Sequence, residues 1–349
     1  MNMSLLWAGF ALGCAFGVAA RLSRFCLLRG LSQISGLDGS VHGGGAPALQ
    51  AFALALAVAL LATQGLQLAG LVDLGQAQIV RTQFSVIGVL IGGTLFGVGM
   101  VLANSCGARA LVLLAGGNLR SLVAVVFLAL GAQASMTGIL VPLRQWLQTL
   151  APIALAEATL PRSLQAWGVT ASLALVLATT VPALLLAAYA LYRPALRQDP
   201  VQWLAAPAIG LMAAAGWWIT AHVGADPFEP AKLTSLSFIG PIAESMLYLQ
   251  LAVGRDLSLG PALAAGVLAG SGLAAQLSRT ACWEGFDSPA RLAASACGGL
   301  LMGFGGVLAA GCSIGQGLTG LSTLAWASFP AALGIAMGGW AALRLRPRP

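Results

Sequence analysis

Charge is what this sequence has least of. Only 8% of its 349 residues are Asp, Glu, Lys or Arg, and its cations are sixteen arginines and a single lysine, Lys232. Soluble domains carry about 25% charged residues, so a soluble globular protein is excluded. No large soluble domain fits between the apolar runs. Histidine is nearly missing: only His42 and His222 occur, both near predicted span ends, which is a poor supply for a soft-metal centre. None of the six cysteines forms a Cys-x-x-Cys pair, which leaves a thioredoxin-like or quinone-linked disulfide exchanger little support. A net charge of +7 raises nucleic acid as a partner, but the arginines are scattered among apolar runs rather than gathered on one soluble face. No nucleic acid, metal or cofactor is expected.

What is present in quantity is hydrophobic sequence, 58% of the chain. Windows of about 20 apolar residues, the length that crosses a bilayer, recur near 4–20, 47–71, 84–104, 119–141, 163–192, 201–221, 258–277, 292–311 and 322–343. These predict an all-α integral membrane protein, residues 1–349 as one membrane domain, with about nine transmembrane helices. Cytoplasmic loops collect Arg and Lys. With nine spans, Arg21, Arg24, Arg29, Arg193, Arg197, Arg344, Arg346 and Arg348 fall on one side, and Asp73, Glu157, Asp226 and Glu229 on the other. The expected topology is N-terminus outside and C-terminus cytoplasmic. The first span lacks the basic leading region of a signal peptide, and its GVAARLSR (17–24) reappears as GLAAQLSR (272–279), so it is expected to be retained.

A second repeat is stronger. GGTLFGVGMVLANSC (92–106) aligns without gaps to GGLLMGFGGVLAAGC (298–312). The chain therefore reads as two related halves, about 1–145 and 200–349, the first carrying an extra span near 47–71; their relative orientation stays open. Duplicated halves that enclose a site at their interface are a transporter architecture. Glycine-mediated helix packing explains Gly92, Gly93, Gly97 and Gly99, but not why each repeat ends in cysteine. The following stretches, 107–118 and 313–322, are too short or glycine-rich to cross alone and predict re-entrant segments. Irregular backbone at that depth is tolerated only where it is buried in protein or lines a cavity, and the amides at a short helix start favour an anion.

Cys106 and Cys312 occupy matching breaks and are the leading functional candidates. Cys14 and Cys297, within spans among small residues, are expected to pack. Cys26 lies among Arg21, Arg24 and Arg29, an environment that holds an anion or activates a thiol, and a basic loop explains it equally well. Cys282 falls one position off the alignment with Cys26 and is expected to line a path without being essential. Ser105, Gly107, Gly311 and Ser313 flank the two leading cysteines. Glu244, an intramembrane carboxylate on a short buried helix within 232–250, is a secondary candidate, as are Gln316, Arg109 and Arg24. Asn118 and Arg120 are expected to cap and anchor the first re-entrant segment.

RLSRFC, VLANSCGARALVLLAGGNLRSL and GGLLMGFGGVLAAGCSIGQGLTGLSTL together resemble the YeeE/YedE family of bacterial sulfur-compound transporters, and within it the thiosulfate importers. The resemblance implies an hourglass-shaped bundle in the bacterial inner membrane and thiosulfate uptake past Cys26, Cys106 and Cys312. It also implies a small cytoplasmic sulfur-carrier protein as partner. One departure is Ser105, where a glycine before the cysteine is common. Thiosulfate is a compact dianion with a soft terminal sulfur, and dehydrating it is costly unless donors replace water. Conduction also needs sites weak enough to release. Neutral thiols, weak donors with polarizable sulfur, suit both demands. The expected mechanism is a non-covalent S–H···S relay between Cys106, Cys312 and Cys26, with the amides of Gly107 and Ser313 on the oxygen end. The alternatives are another sulfur or selenium substrate, a membrane thiol oxidoreductase or sulfurtransferase, and a non-transporting scaffold for a sulfur carrier.

Overall fold

The computed structural model describes residues 3–36, 45–225, 232–254, 256–285 and 288–346. His42, Asp226, Glu229 and Arg348, used above, lie outside the described residues. In chain order the helices are α1 (Met3–Ser23), α2 (Leu27–Ile34), α3 (Pro47–Leu68), α4 (Val86–Leu102), α5 (Gly107–Leu114), α6 (Leu119–Met136) and α7 (Val141–Gln148). There follow α8 (Leu160–Ala166), α9 (Ala171–Tyr192), α10 (Pro200–His222), α11 (Ile239–Gln250), α12 (Leu259–Leu277), α13 (Pro289–Leu308) and α14 (Ser328–Leu345). A π-helical segment, Gly315–Gly320, precedes α14, and two short strands, β1 (Gln83–Ser85) and β2 (Pro152–Ala154), pair antiparallel. The protein is an all-α integral membrane protein. Eight segments are long and apolar enough to cross a bilayer, and α14, with 18 residues, is the ninth long helix among the described residues.

Three expected spans have different limits. The run at 163–192 is broken at Gly168 (φ +93°), so that α8 ends before the crossing helix α9 begins. The run at 119–141 ends at Met136, and α7 turns away from it. The last span starts at Ser328 rather than 322, because the chain turns at Leu324 (φ +55°) and bonds there to Ala158 and Leu160.

Backbone contact between small residues sets the helix directions. Gly9, Gly13 and Gly17 of α1 face Leu259, Leu263 and Val267 of α12, so these two helices run parallel. Gly92 of α4 faces Ala309 and Gly305, whereas Gly99 faces Gly298 and Met302, so α4 and α13 run antiparallel. A Cβ at Gly99 would lie 2.6 Å from the Gly298 carbonyl oxygen, which is closer than any side chain tolerates. The sequence-matched helices thus pack on each other, in opposite senses. The extra span α3 is the cause: it reverses the direction of everything after it in the first half.

One end of the bundle, where α1, α4, α9, α12 and α14 finish, gathers Arg21, Arg24, Arg29, Arg193, Arg197, Arg344 and Arg346. The Gln50 amide near the start of α3 donates to the Arg193 carbonyl there, and Arg21 donates to the Thr280 carbonyl. We call this the arginine face. The other end holds the β1–β2 ribbon and a half-exposed pair, Arg162 and Asp73, 4.0 Å apart. We call it the ribbon face.

Candidate functional site

Each repeat break has the same backbone. After α4 the chain turns at Asn104 (φ +55°), and after α13 at the matching Ala310 (φ +57°). In each turn the next amide reaches back five residues, Ser105 N to Met100 O and Gly311 N to Gly306 O. This is the Schellman arrangement that satisfies the last carbonyls of a helix. The GVAARLSR repeat ends likewise, at Arg24 and Arg279, both at φ +52°.

The break leaves the next cysteine at the start of a new short helix. Cys26 and Cys106 are the N-cap residues of α2 and α5, each eight residues long. The Cys312 carbonyl accepts the Gln316 amide at 2.7 Å, and its sulfur accepts the Gly315 amide at 3.2 Å, so it starts the helical turn that leads into the π segment. All three are buried, at 3%, 2% and 0% exposure, although thiols are ordinary core residues and burial alone would mean little. Their common place at helix starts separates them from the other cysteines. The partial positive end of a short helix is aimed at each.

The Cys26 and Cys106 thiols are direct neighbours, and Ser313 adjoins Cys106. On the arginine face a cavity of about 860 Å³ reaches down to Cys26, Asn104 and Ser105. Arg29, Arg109, Arg120, Arg291 and Arg346 line it, so it draws anions. A second cavity, about 630 Å³, opens on the ribbon face beside Thr82, Gln83, Glu157 and Arg162. Thr82 and Gln83 precede α4, whereas Leu102 and Ala103 at its end line the first cavity. The two cavities therefore sit about 25 Å apart, the length of a 17-residue helix. A third, much smaller void of about 10 Å³ is bounded by Phe16, Phe25, Cys106, Arg109 and Ile314. That is about one water. Two of its walls belong to aromatic pairs, Phe25 stacked on Phe52 (5.5 Å) and Phe16 against Phe238 (5.0 Å).

The remaining candidates separate clearly. Arg109 is half-buried beside Cys26 and donates to the carbonyl of Arg24, whose own side chain is exposed. Gln316 is buried and its amide donates to the carbonyls of Ala309 and Ala310, so it closes the end of α13. Glu244 is half-buried and accepts from Ser258, the N-cap of α12, which ties α11 to α12 away from the thiols. Asn118 serves two helices: its backbone amide donates to the Leu113 carbonyl at the end of α5 (3.2 Å), and its side chain caps α6, accepting the Ser121 amide at 2.9 Å. Cys282 is not brought to the other thiols: it is exposed, on a strand-like strap whose amides bond Gly116 and Gly117. Cys297 is exposed on α13 rather than packed, and Cys14 is half-buried against Gly266 and Gly270. Sequence reasoning put Arg29 and Arg346 on the basic side but missed Arg291 as part of this lining, and it missed the aromatic pairs, because neither follows any periodicity.

Neither residue before the paired cysteines needs left-handed backbone. Ser105 and Gly311 both lie outside that region. A Cβ at Gly311 would meet Gln316 Cγ at 2.9 Å, and Gln316 aligns with the small Ala110 of the first repeat. Ser105 is therefore accommodated by Ala110, and Gly311 is required by Gln316.

A multi-pass membrane protein with two related halves, paired broken helices and a cavity at each end has the features of a transporter architecture. Residues 22–341 match the family model for sulphur transport, and the chain belongs to that family, YeeE/YedE. It is similar to the thiosulfate transporter TsuA of Spirochaeta thermophila, 26% identical over 343 residues, covering 96% of this chain and 97% of that one. It is also similar to the thiosulfate transporter TsuA of Escherichia coli, 25% identical, covering 97% and 94% respectively.

Proposed function

We propose that this chain imports thiosulfate across the bacterial inner membrane, with the arginine face cytoplasmic. The carrying observation is three buried thiols, each at the start of a short helix, lying between a ribbon-face cavity and an arginine-lined one. The names of the relatives support the substrate. Adjacency of Cys106 to Cys26 on one side and to Ser313 on the other supports the order Cys312, Cys106, Cys26 for an inward-moving ion. At each step the soft sulfur end meets a thiol, and the oxygen end meets the amides of Gly107 or Ser313. No bond is made or broken, so no reductant is needed to release the ion. The basic vestibule then holds the anion where a small sulfur-carrier protein collects it.

The neighbouring Cys26 and Cys106 thiols support a second reading, a thiol–disulfide exchanger. It requires that pair to be oxidised and reduced in turn, whereas the relay stops if the pair is oxidised. The test is a bacterial strain lacking its own sulfate and thiosulfate importers, grown on thiosulfate alone. The wild-type chain rescues growth, and Cys106→Ala or Cys312→Ala does not. Rescue by both variants refutes the proposal, and uptake that persists with an oxidised Cys26–Cys106 pair favours the exchanger.

A further inference from the structure

The Ser313 hydroxyl is 1% exposed and lies against the Cys106 thiol, a weak sulfur partner, with no nitrogen or oxygen partner among the described residues. A buried hydroxyl without a partner is destabilising. Most buried polar groups are paired, so a bare one at a thiol-to-thiol junction calls for an occupant. The neighbouring hydroxyls show what an ordinary structural role looks like here. Thr319 donates to the Leu236 carbonyl at 2.8 Å, and Ser322 to the Thr319 carbonyl at 2.7 Å. Thr63 and Ser328 are also buried hydroxyls without a partner among the described residues, and Ser313 is the one of these three recorded beside the Cys106 thiol.

The repeat sharpens the point. Ser313 aligns with Gly107, where a Cβ would already meet Leu128 Cδ1 at 3.1 Å. A side chain at this position in the first half would press on Leu128, and the second half supplies one that is small and able to donate. Ser313 follows Cys312 directly and touches Cys106, so its hydroxyl stands where an ion leaves one thiol for the other. A thiol is a weak donor that suits soft sulfur, whereas a hydroxyl is a stronger donor that suits oxygen.

We propose that the Ser313 hydroxyl is a specificity-determining donor, which binds an oxygen of the sulfonate end while the ion's sulfur passes between Cys312 and Cys106. The substrate class it selects is a compact anion with oxygen at one end and a soft atom at the other. The inference rests on the transport reading above and adds to it an atom distinct from the Ser313 amide.

The test is Ser313→Ala, purified beside the wild type and assayed in proteoliposomes with labelled thiosulfate, with the thermal midpoint of each protein recorded. A lost hydrogen bond to an anion predicts a fall in uptake efficiency of roughly tenfold or more, with the midpoint unchanged or raised. Modification of Cys106 by a small neutral thiol reagent, in a background where it is the only cysteine, should proceed at equal rates with Ser or Ala at 313. Uptake within twofold of wild type overturns the proposal. So does a fall in uptake accompanied by a lower midpoint, which marks a structural hydroxyl, or by altered Cys106 reactivity, which marks an effect through the thiol. If the wild type itself takes up no thiosulfate while remaining folded, the transport reading has failed, and the proposal falls with it.

Discussion

The two repeat breaks share a backbone and differ in their side chains. Both end a helix in a left-handed residue, Asn104 or Ala310, and both place a buried cysteine two positions later. Around Cys106 the neighbours are Ser105, Gly107 and Ala110, with Cys26 alongside. Around Cys312 they are Gly311, Ser313 and Gln316, all enclosed. Because α4 and α13 run antiparallel, the first break faces the arginine vestibule and the second faces the ribbon side. The shared part of the repeat builds two buried thiol positions, and the differing part gives each its own set of neighbours.

The largest expected effect tests the shared part. Cys106→Ala and Cys312→Ala should each reduce labelled thiosulfate uptake by two orders of magnitude or more, a barrier rise of roughly 2.7 kcal/mol. A large loss at one and little at the other would break the equivalence of the breaks.

The next effect tests the differing part. Gly311→Ser imposes the first break's residue on the second, where its Cβ meets Gln316. Overpacking of this kind destabilises by about 1–3 kcal/mol, to be read as a lower thermal midpoint. Adding Gln316→Ala, which copies the Ser105/Ala110 pair, should recover part of that loss. The recovery is incomplete because Gln316 also serves the Ala309 and Ala310 carbonyls. Ser105→Gly should be tolerated.

A smaller effect has the opposite sign. Ala310 adopts a left-handed conformation that disfavours a Cβ by about 1–2 kcal/mol, so Ala310→Gly should raise the midpoint. Asn104→Gly should raise it less, since Asn tolerates that region better than Ala. The smallest effects belong to the outlying cysteines. Cys14→Ala, Cys282→Ala and Cys297→Ala should each leave uptake within about twofold of wild type, as expected for residues away from the path.

Much of this was legible in the sequence, for identifiable reasons. Span existence follows from hydropathy, and the cysteine breaks follow from a repeat that glycine packing does not explain. The direction of each repeat unit was not legible, because it depends on how many crossings intervene, and α3 changes that parity. The residues around Cys26 left it open between an anion or thiol site and a basic loop, because α2 is too short to carry a clear period, and only the family resemblance made it a relay residue. Only its N-cap position beside Cys106 ties it to the other thiols. The vestibule arginines come from α2, α5, α6, α13 and the chain after α14. No window of sequence contains them.

The central claim is that the thiols act on the soft end of the ion rather than forming a polar pore. Serine keeps a donor at each position and is the better donor of the two, but its hard oxygen suits the sulfonate instead. The direct measurement is labelled-thiosulfate uptake by Cys106→Ser and by Cys312→Ser in proteoliposomes, at matched amounts of folded protein. A thiol relay predicts that both are nearly as impaired as the alanine variants, and that sulfate competes weakly with thiosulfate in the wild type. Near-normal uptake by either serine variant would contradict it.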